Sequence, residues 1–287
     1  MATTTATQQD HSGKGLLKQH PLVAYFVLAF AISWLILSPG VASTLGLLNF
    51  QFDGTVLTFL SGVGPLLAAL IVTGATEGGE GVRNIFRSMF RWQVGVGWWV
   101  AAVLMPAGLF ALAIAIGILS GGPRPDPSLG VFLPGGSVAV VIILLLIGSF
   151  GEEPGWRGFA LPRLQQGRSA LVATLILTLF WWLWHLPSYW VMPAFVYATQ
   201  QYGFLAAFGI QAVILLAMGL LLAWVYNGSS GSILMPVLLH ASWNFWSSAF
   251  GPEASVFILP LFLLFAVVVG FATKGRLGLR PTATCPK

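Results

Sequence analysis

Two adjacent carboxylates followed by an arginine, in the stretch Gly151-Glu152-Glu153-Pro154-Gly155-Trp156-Arg157-Gly158, close the apolar run 138–150. Acids beside hydrocarbon are costly, so an ionisable group kept there points to function, the plainer alternative being a loop just outside a bilayer. If the segment stays helical, Glu153 and Arg157 stand four residues apart and can pair, whereas Glu152 projects about 100° away and is left for chemistry. The remaining polar partners inside apolar runs are His185, after Trp184, and the stretch His240-Ala241-Ser242-Trp243-Asn244. Taken singly, a histidine in such a run is read first as a hydrogen bond to a neighbouring helix. The set reads differently. His240 and Asn244 share one helix face, and two donors side by side could hold a developing oxyanion. A buried glutamate can take a proton from a water that an imidazole orients, so the group as a whole is equipped to hydrolyse an amide.

Other hydrolase designs fit less well. The sequence has no His-Glu-x-x-His helix and no span with two separated aspartates. Gly228-Ser229-Ser230-Gly231 matches the Gly-x-Ser-Gly of rhomboid-type serine proteases, but it falls in a short polar turn between two apolar runs and is read as turn and helix cap. The single cysteine, Cys285, lies in the polar C-terminal tail, which leaves no intrachain disulfide and no thiol among the apolar runs.

The elements that must position these residues are membrane spans. Of 287 residues 57% are hydrophobic and 7% charged, a composition that a soluble domain does not tolerate, and the mean hydropathy is +0.86. The basic balance, pI near 9.7, makes no dense patch, so nucleic acid is not an expected partner; the lipid bilayer is. The expected fold is all-α, a polytopic bundle of about eight transmembrane helices around an intramembrane catalytic pocket. Apolar runs at 22–37, 55–75, 98–119, 138–150, 170–190, 204–226, 233–250 and 256–272 supply them. The fourth is too short to cross unless its helix continues through Glu152 and Glu153, which puts the motif inside the membrane. The first run could be a signal peptide but exceeds the usual core of about 7 to 15 residues, so it is read as an uncleaved span.

Between the second and third runs, Val82, Ile85, Phe86 and Met89 recur at helical spacing opposite Arg83, Arg87 and Arg91, the pattern of a scaffold helix on the membrane surface. Pro236 and Pro260 predict kinks. With both termini cytoplasmic, the inner side holds Lys14, Lys18, Arg83, Arg87, Arg91, Arg157, Arg163, Arg168, Lys274, Arg276, Arg280 and Lys287, and the outer side Arg124 alone. That asymmetry orients the chain as a multi-pass protein of the cell membrane. Asp53, Asp126 and Glu253 then fall in outer loops. The chain divides into a polar tail 1–20, one helical domain 21–273 and a basic tail 274–287. One tension remains: His185 lies roughly 25 Å along its helix from Arg168 and His240 only about 12 Å from Ser232, so they meet only if the fifth helix starts lower and the fourth runs on past Arg157.

Glu152-Glu153-x-x-x-Arg157, an aromatic-x-x-x-His185 and His240-x-x-x-Asn244, in this order on three spans, resemble the signature motifs of the CAAX-protease and bacteriocin-processing (CPBP, or Abi) family of intramembrane proteases. The stretch 155–164 is also similar to prokaryotic members, and the resemblance covers about 130–270. One position departs: the second motif is Phe-x-x-x-His, and Trp181 stands four before His185, with Phe180 five before. The resemblance implies that Glu152 and His185 activate water, that His240 and Asn244 stabilise the oxyanion, and that Glu153 and Arg157 support them. It leaves open a zinc held by Glu152, His185 and His240; the metal-free reading is preferred. The expected partner is a peptide or membrane-protein substrate, prenylated or otherwise hydrophobic. The rival readings are a non-catalytic bacteriocin-immunity or binding protein of the same fold and a proton-coupled transporter.

Overall fold

The computed structural model describes residues 18–122, 124, 138–250 and 255–279; Lys14, Asp126, Glu253, Arg280, Cys285 and Lys287 lie outside them, as does most of the Pro/Gly-rich stretch 121–136. Among the described residues every regular element is helical, the solution that lets a backbone in lipid satisfy its own polar groups. The helices are α1 (Pro21–Thr44), α2 (Gly54–Ser61), α3 (Gly64–Met89), α4 (Val96–Leu119, with one π-helical turn), α5 (Val138–Glu153), α6 (Ala170–Trp184), α7 (Pro193–Tyr202), α8 (Phe204–Gly228), α9 (Leu234–Phe250) and α10 (Ser255–Ala272). By length and composition, five rods among the described residues can cross a membrane: Pro21–Thr44, Gly54–Met89, Val96–Leu119, Ala170–Trp190 and Phe204–Gly228. The other three expected spans are helical but shorter or less apolar.

α5 is the helix that matters most. It does not stop at the acidic pair but continues as a π-helical stretch, Pro154–Ala160, and a last α-turn, Leu161–Leu164. Pro154 has no N–H to give to the α ladder, and the wider π turn takes up that break in register. Two glycines let this rod come close to its neighbours. A Cβ on Gly151 would sit 2.6 Å from the Gly62 carbonyl oxygen, and one on Gly155 would meet the Tyr25 hydroxyl at 2.6 Å and the Pro65 carbonyl oxygen closer still. The acidic pair is thereby seated against α1 and the junction of α2 and α3. α9 packs along α5 and α6 along α8, while α10 closes on α4 and α8.

Two expectations are corrected. The segment 77–91 is a helical piece set off by a kink, as expected, but it does not lay its whole apolar face on lipid. It continues α3 beyond a break at Gly78 (φ 69°, ψ −162°), a conformation open to glycine, and turns Ile85 and Met89 into the core while Phe86 stays 43% exposed. The apolar stripe found a protein face before it needed a lipid one. Glu77 pairs with Arg163 on the last turn of α5, and Arg91 Nη1 donates to the Ser230 carbonyl at 2.6 Å, so both ends of the segment are tied to the bundle. Pro236 makes no mid-helix kink, because α9 begins at Leu234 and a proline in the first turn withholds an N–H that has no helical partner anyway. Pro260 does lie inside its helix.

The tension in depth between the two histidines is resolved by the course of α5. Because it runs on to Leu164, the next turn lies low, and α6 rises 11 residues, about 16 Å, from Ala170 to Trp181, whose ring is 5.5 Å from that of His240. His240 is only six residues, about 9 Å, into α9. α6 therefore starts more than a turn below α9. The Gly228–Gly231 stretch is a turn: Ser230 has φ 58°, and Ser229 Oγ donates to the Tyr226 carbonyl at 3.2 Å.

Candidate active site

The pairing possible at i,i+4 is present: Arg157 Nη1 donates to Glu153 Oε1 at 3.0 Å, with the two side chains 1% and 0% exposed. Glu153 does more than neutralise the arginine. Its Oε1 also accepts from His240 Nδ1 at 2.9 Å, so α5 and α9 are joined through one carboxylate oxygen. A carboxylate only accepts, so Nδ1 carries the proton and Nε2 is the edge that His240 has left for a ligand.

Glu152, one residue earlier and facing elsewhere, has a different partner. Trp181 Nε1 donates to its Oε2 at 2.8 Å. The backbone carbonyl of that same Trp181 receives His185 Nδ1 at 2.7 Å. By the same logic the His185 tautomer follows from the network: Nδ1 is protonated, and Nε2 keeps a lone pair that can hold a water proton. His185 caps the C-terminus of α6, where the chain turns into the 3₁₀ segment Leu186–Trp190, so its ring is fixed at the end of a helix. Trp181 also carries the Arg157 guanidinium over its ring at 4.3 Å and meets the His240 ring edge-on, centroids 5.5 Å apart at 82°.

Glu152, His185 and His240, far apart in the sequence, thus all border one tryptophan. Asn244 lies one turn beyond His240 on α9. Burial divides the set in a chemically sensible way. The supporting Glu153, Arg157 and Trp181 are at most 1% exposed and His240 is 7% exposed, whereas Glu152, His185 and Asn244 keep more accessible surface. As for a metal, among the described residues no three His, Cys, Asp or Glu side chains are grouped so as to hold an ion, so Glu152, His185 and His240 do not fit a zinc set as they stand.

Two contributors were not foreseen as such. Trp181 was visible in the sequence only as a departure from a motif. Tyr25, fully buried on α1, packs its ring on Phe159 at 4.8 Å and on Trp156 at 5.6 Å, and so brings the first helix onto the motif segment. Its one signal is a lone tyrosine in an apolar run, which is too common a feature to single it out.

Comparison with known proteins bears on this geometry. A family model described as Type II CAAX prenyl endopeptidase Rce1-like matches residues 134–246, a segment that holds Glu152, Glu153, Arg157, Trp181, His185, His240 and Asn244. CAAX prenyl protease 2 of Methanococcus maripaludis is 30% identical over 143 residues, 49% of this chain and 52% of that protein. The chain spans about half the length of this curated relative. The ordered motifs on α5, α6 and α9 all fall within the segment 134–246 that is similar to the Rce1-like CAAX prenyl endopeptidases.

Proposed function

We propose that this chain is an intramembrane endopeptidase that cleaves a prenylated or otherwise hydrophobic peptide at the membrane. The observation that carries the reading is the meeting of Glu152, His185 and His240 around Trp181, each with its Nδ1 or carboxylate already committed and a reactive edge left over. In this mechanism a water lies between the Glu152 carboxylate and His185 Nε2. Its oxygen forms a bond to the scissile carbonyl carbon as Glu152 takes the proton. The carbonyl oxygen becomes an oxyanion facing His240 Nε2 and the Asn244 amide, which hold it by donation; His240 does so as an imidazolium, with Nδ1 against Glu153. The carbon–nitrogen bond then breaks, and the leaving amine takes the proton from Glu152. The prenyl substrate class is carried over from the matched family model. Purified protein should cut a prenylated CAAX-type peptide in a peptide library, while Glu152→Ala should leave it intact. An uncut peptide with active-site residues in place and the protein folded would overturn the reading, and proton-driven flux in liposomes would replace it with transport.

Because the Glu and His groups do not form a ligand set, no step is routed through a metal. Exhaustive chelation is expected to leave cleavage unchanged, with well under one equivalent of metal per chain. Stoichiometric zinc whose removal abolishes activity reversibly would instead make Glu152, His185 and His240 ligands.

The same reading includes eight spans, one helical domain over 21–273 and both termini in the cytoplasm, supported by the basic residues that collect on one side. Reporter fusions at residues 126 and 287 should then report opposite compartments. The same compartment for both would remove the eight-span topology.

A further inference from the structure

We infer that Trp181 is a positioning residue for Glu152: its indole N–H, a group that phenylalanine lacks, holds the carboxylate in the orientation from which it works on water. The inference rests on the peptidase reading above and deepens it. Trp181 Nε1 donates to Glu152 Oε2 at 2.8 Å, and this is the hydrogen bond that Glu152 makes among the described residues. The charges nearby are committed elsewhere, since both Arg157 and His240 donate to Glu153. Without the indole, the partly buried Glu152 side chain would have no hydrogen bond among the described residues to fix its rotamer.

The indole itself cannot swing. Trp181 is 1% exposed, with Arg157 Cζ 4.3 Å over its ring and the His240 ring 5.5 Å away at 82°. Its N–H direction is therefore set by packing, and the carboxylate is aimed by a group on a neighbouring helix. The same residue fixes His185 by a different atom, the backbone carbonyl that receives Nδ1 at 2.7 Å. A side-chain change at 181 leaves that carbonyl in place, so it separates the hold on Glu152 from the hold on His185. The departure at position 181 from the Phe-x-x-x-His pattern thus adds a donor where phenylalanine supplies only a ring.

The test removes the N–H and keeps the shape. Incorporating β-(3-benzothienyl)alanine at position 181 replaces N–H by sulfur in the same bicycle, and Trp181→Phe provides the simpler variant. A hydrogen bond to a charged group corresponds to about 10- to 100-fold, and misplacing a catalytic group by about 1 Å costs a similar factor. The benzothienyl protein should melt with the wild type and keep its KM within about two-fold while kcat falls roughly 10- to 100-fold. In a Glu152→Gln background the same replacement should produce no further loss, because a group that acts through Glu152 has nothing left to position. Full kcat in a folded benzothienyl protein would overturn the inference, as would a loss of equal size in the Glu152→Gln background. If Trp181→Phe fails to fold, the benzothienyl protein decides. A wild-type protein that cleaves no peptide removes the peptidase reading and this inference with it, whereas an active wild type with an unaffected variant removes the role of Trp181 alone.

Discussion

Glu152→Gln is expected to lower kcat by about 10² to 10⁴ while the protein melts as the wild type does, since that is the usual contribution of a general base. The substitution is well chosen for this site. A glutamine carbonyl can still accept from Trp181 Nε1, so the contact at 2.8 Å survives and the side chain stays where it is. What disappears is the ability to take a proton. The residue keeps accessible surface and carries no ion pair among the described residues, so its removal leaves no buried charge behind. Cleavage rate and melting temperature measured in one detergent check both halves of the prediction. A rate within a few-fold of wild type would remove Glu152 from the chemistry.

Glu153→Gln should do the opposite in kind, lowering stability as well as activity. Glu153 and Arg157 are 0% and 1% exposed, and removing one partner of a buried pair leaves an uncompensated charge that costs roughly 3 to 5 kcal/mol. Solvent does not screen a pair at this depth. Glu153 Oε1 also orients His240, so the variant loses the fixed imidazole together with the ion pair. Adding Arg157→Met to Glu153→Gln should recover part of the melting temperature, because the orphaned cation goes with it, but should not recover activity, because His240 still lacks its carboxylate. If Glu152→Gln melts early while Glu153→Gln folds normally and is inactive, the two roles are reversed.

The sequence by itself determined that this is a helical membrane protein, and it picked out the residues with which chemistry could be done. The physical reason is that lipid imposes long apolar runs, against which six polar residues, Glu152, Glu153, Arg157, His185, His240 and Asn244, stand out as costly exceptions. Local spacing also decided what lies within one helix. Glu153 reaches Arg157 at i+4 whatever the rest of the bundle does. Spacing says nothing of partners on other helices, and those were decided by tertiary structure. That Glu153 also takes His240, that Glu152 is held by Trp181, and that a single tryptophan joins three motifs all depend on how α5, α6 and α9 meet. The same holds for 77–91, whose amphipathic stripe suits a lipid surface or a protein face equally; only the glycine break at Gly78 and the packing beyond it turned Ile85 and Met89 inward. Periodicity reports which side of a helix is apolar, and only the neighbouring helices determine what that side is apolar against.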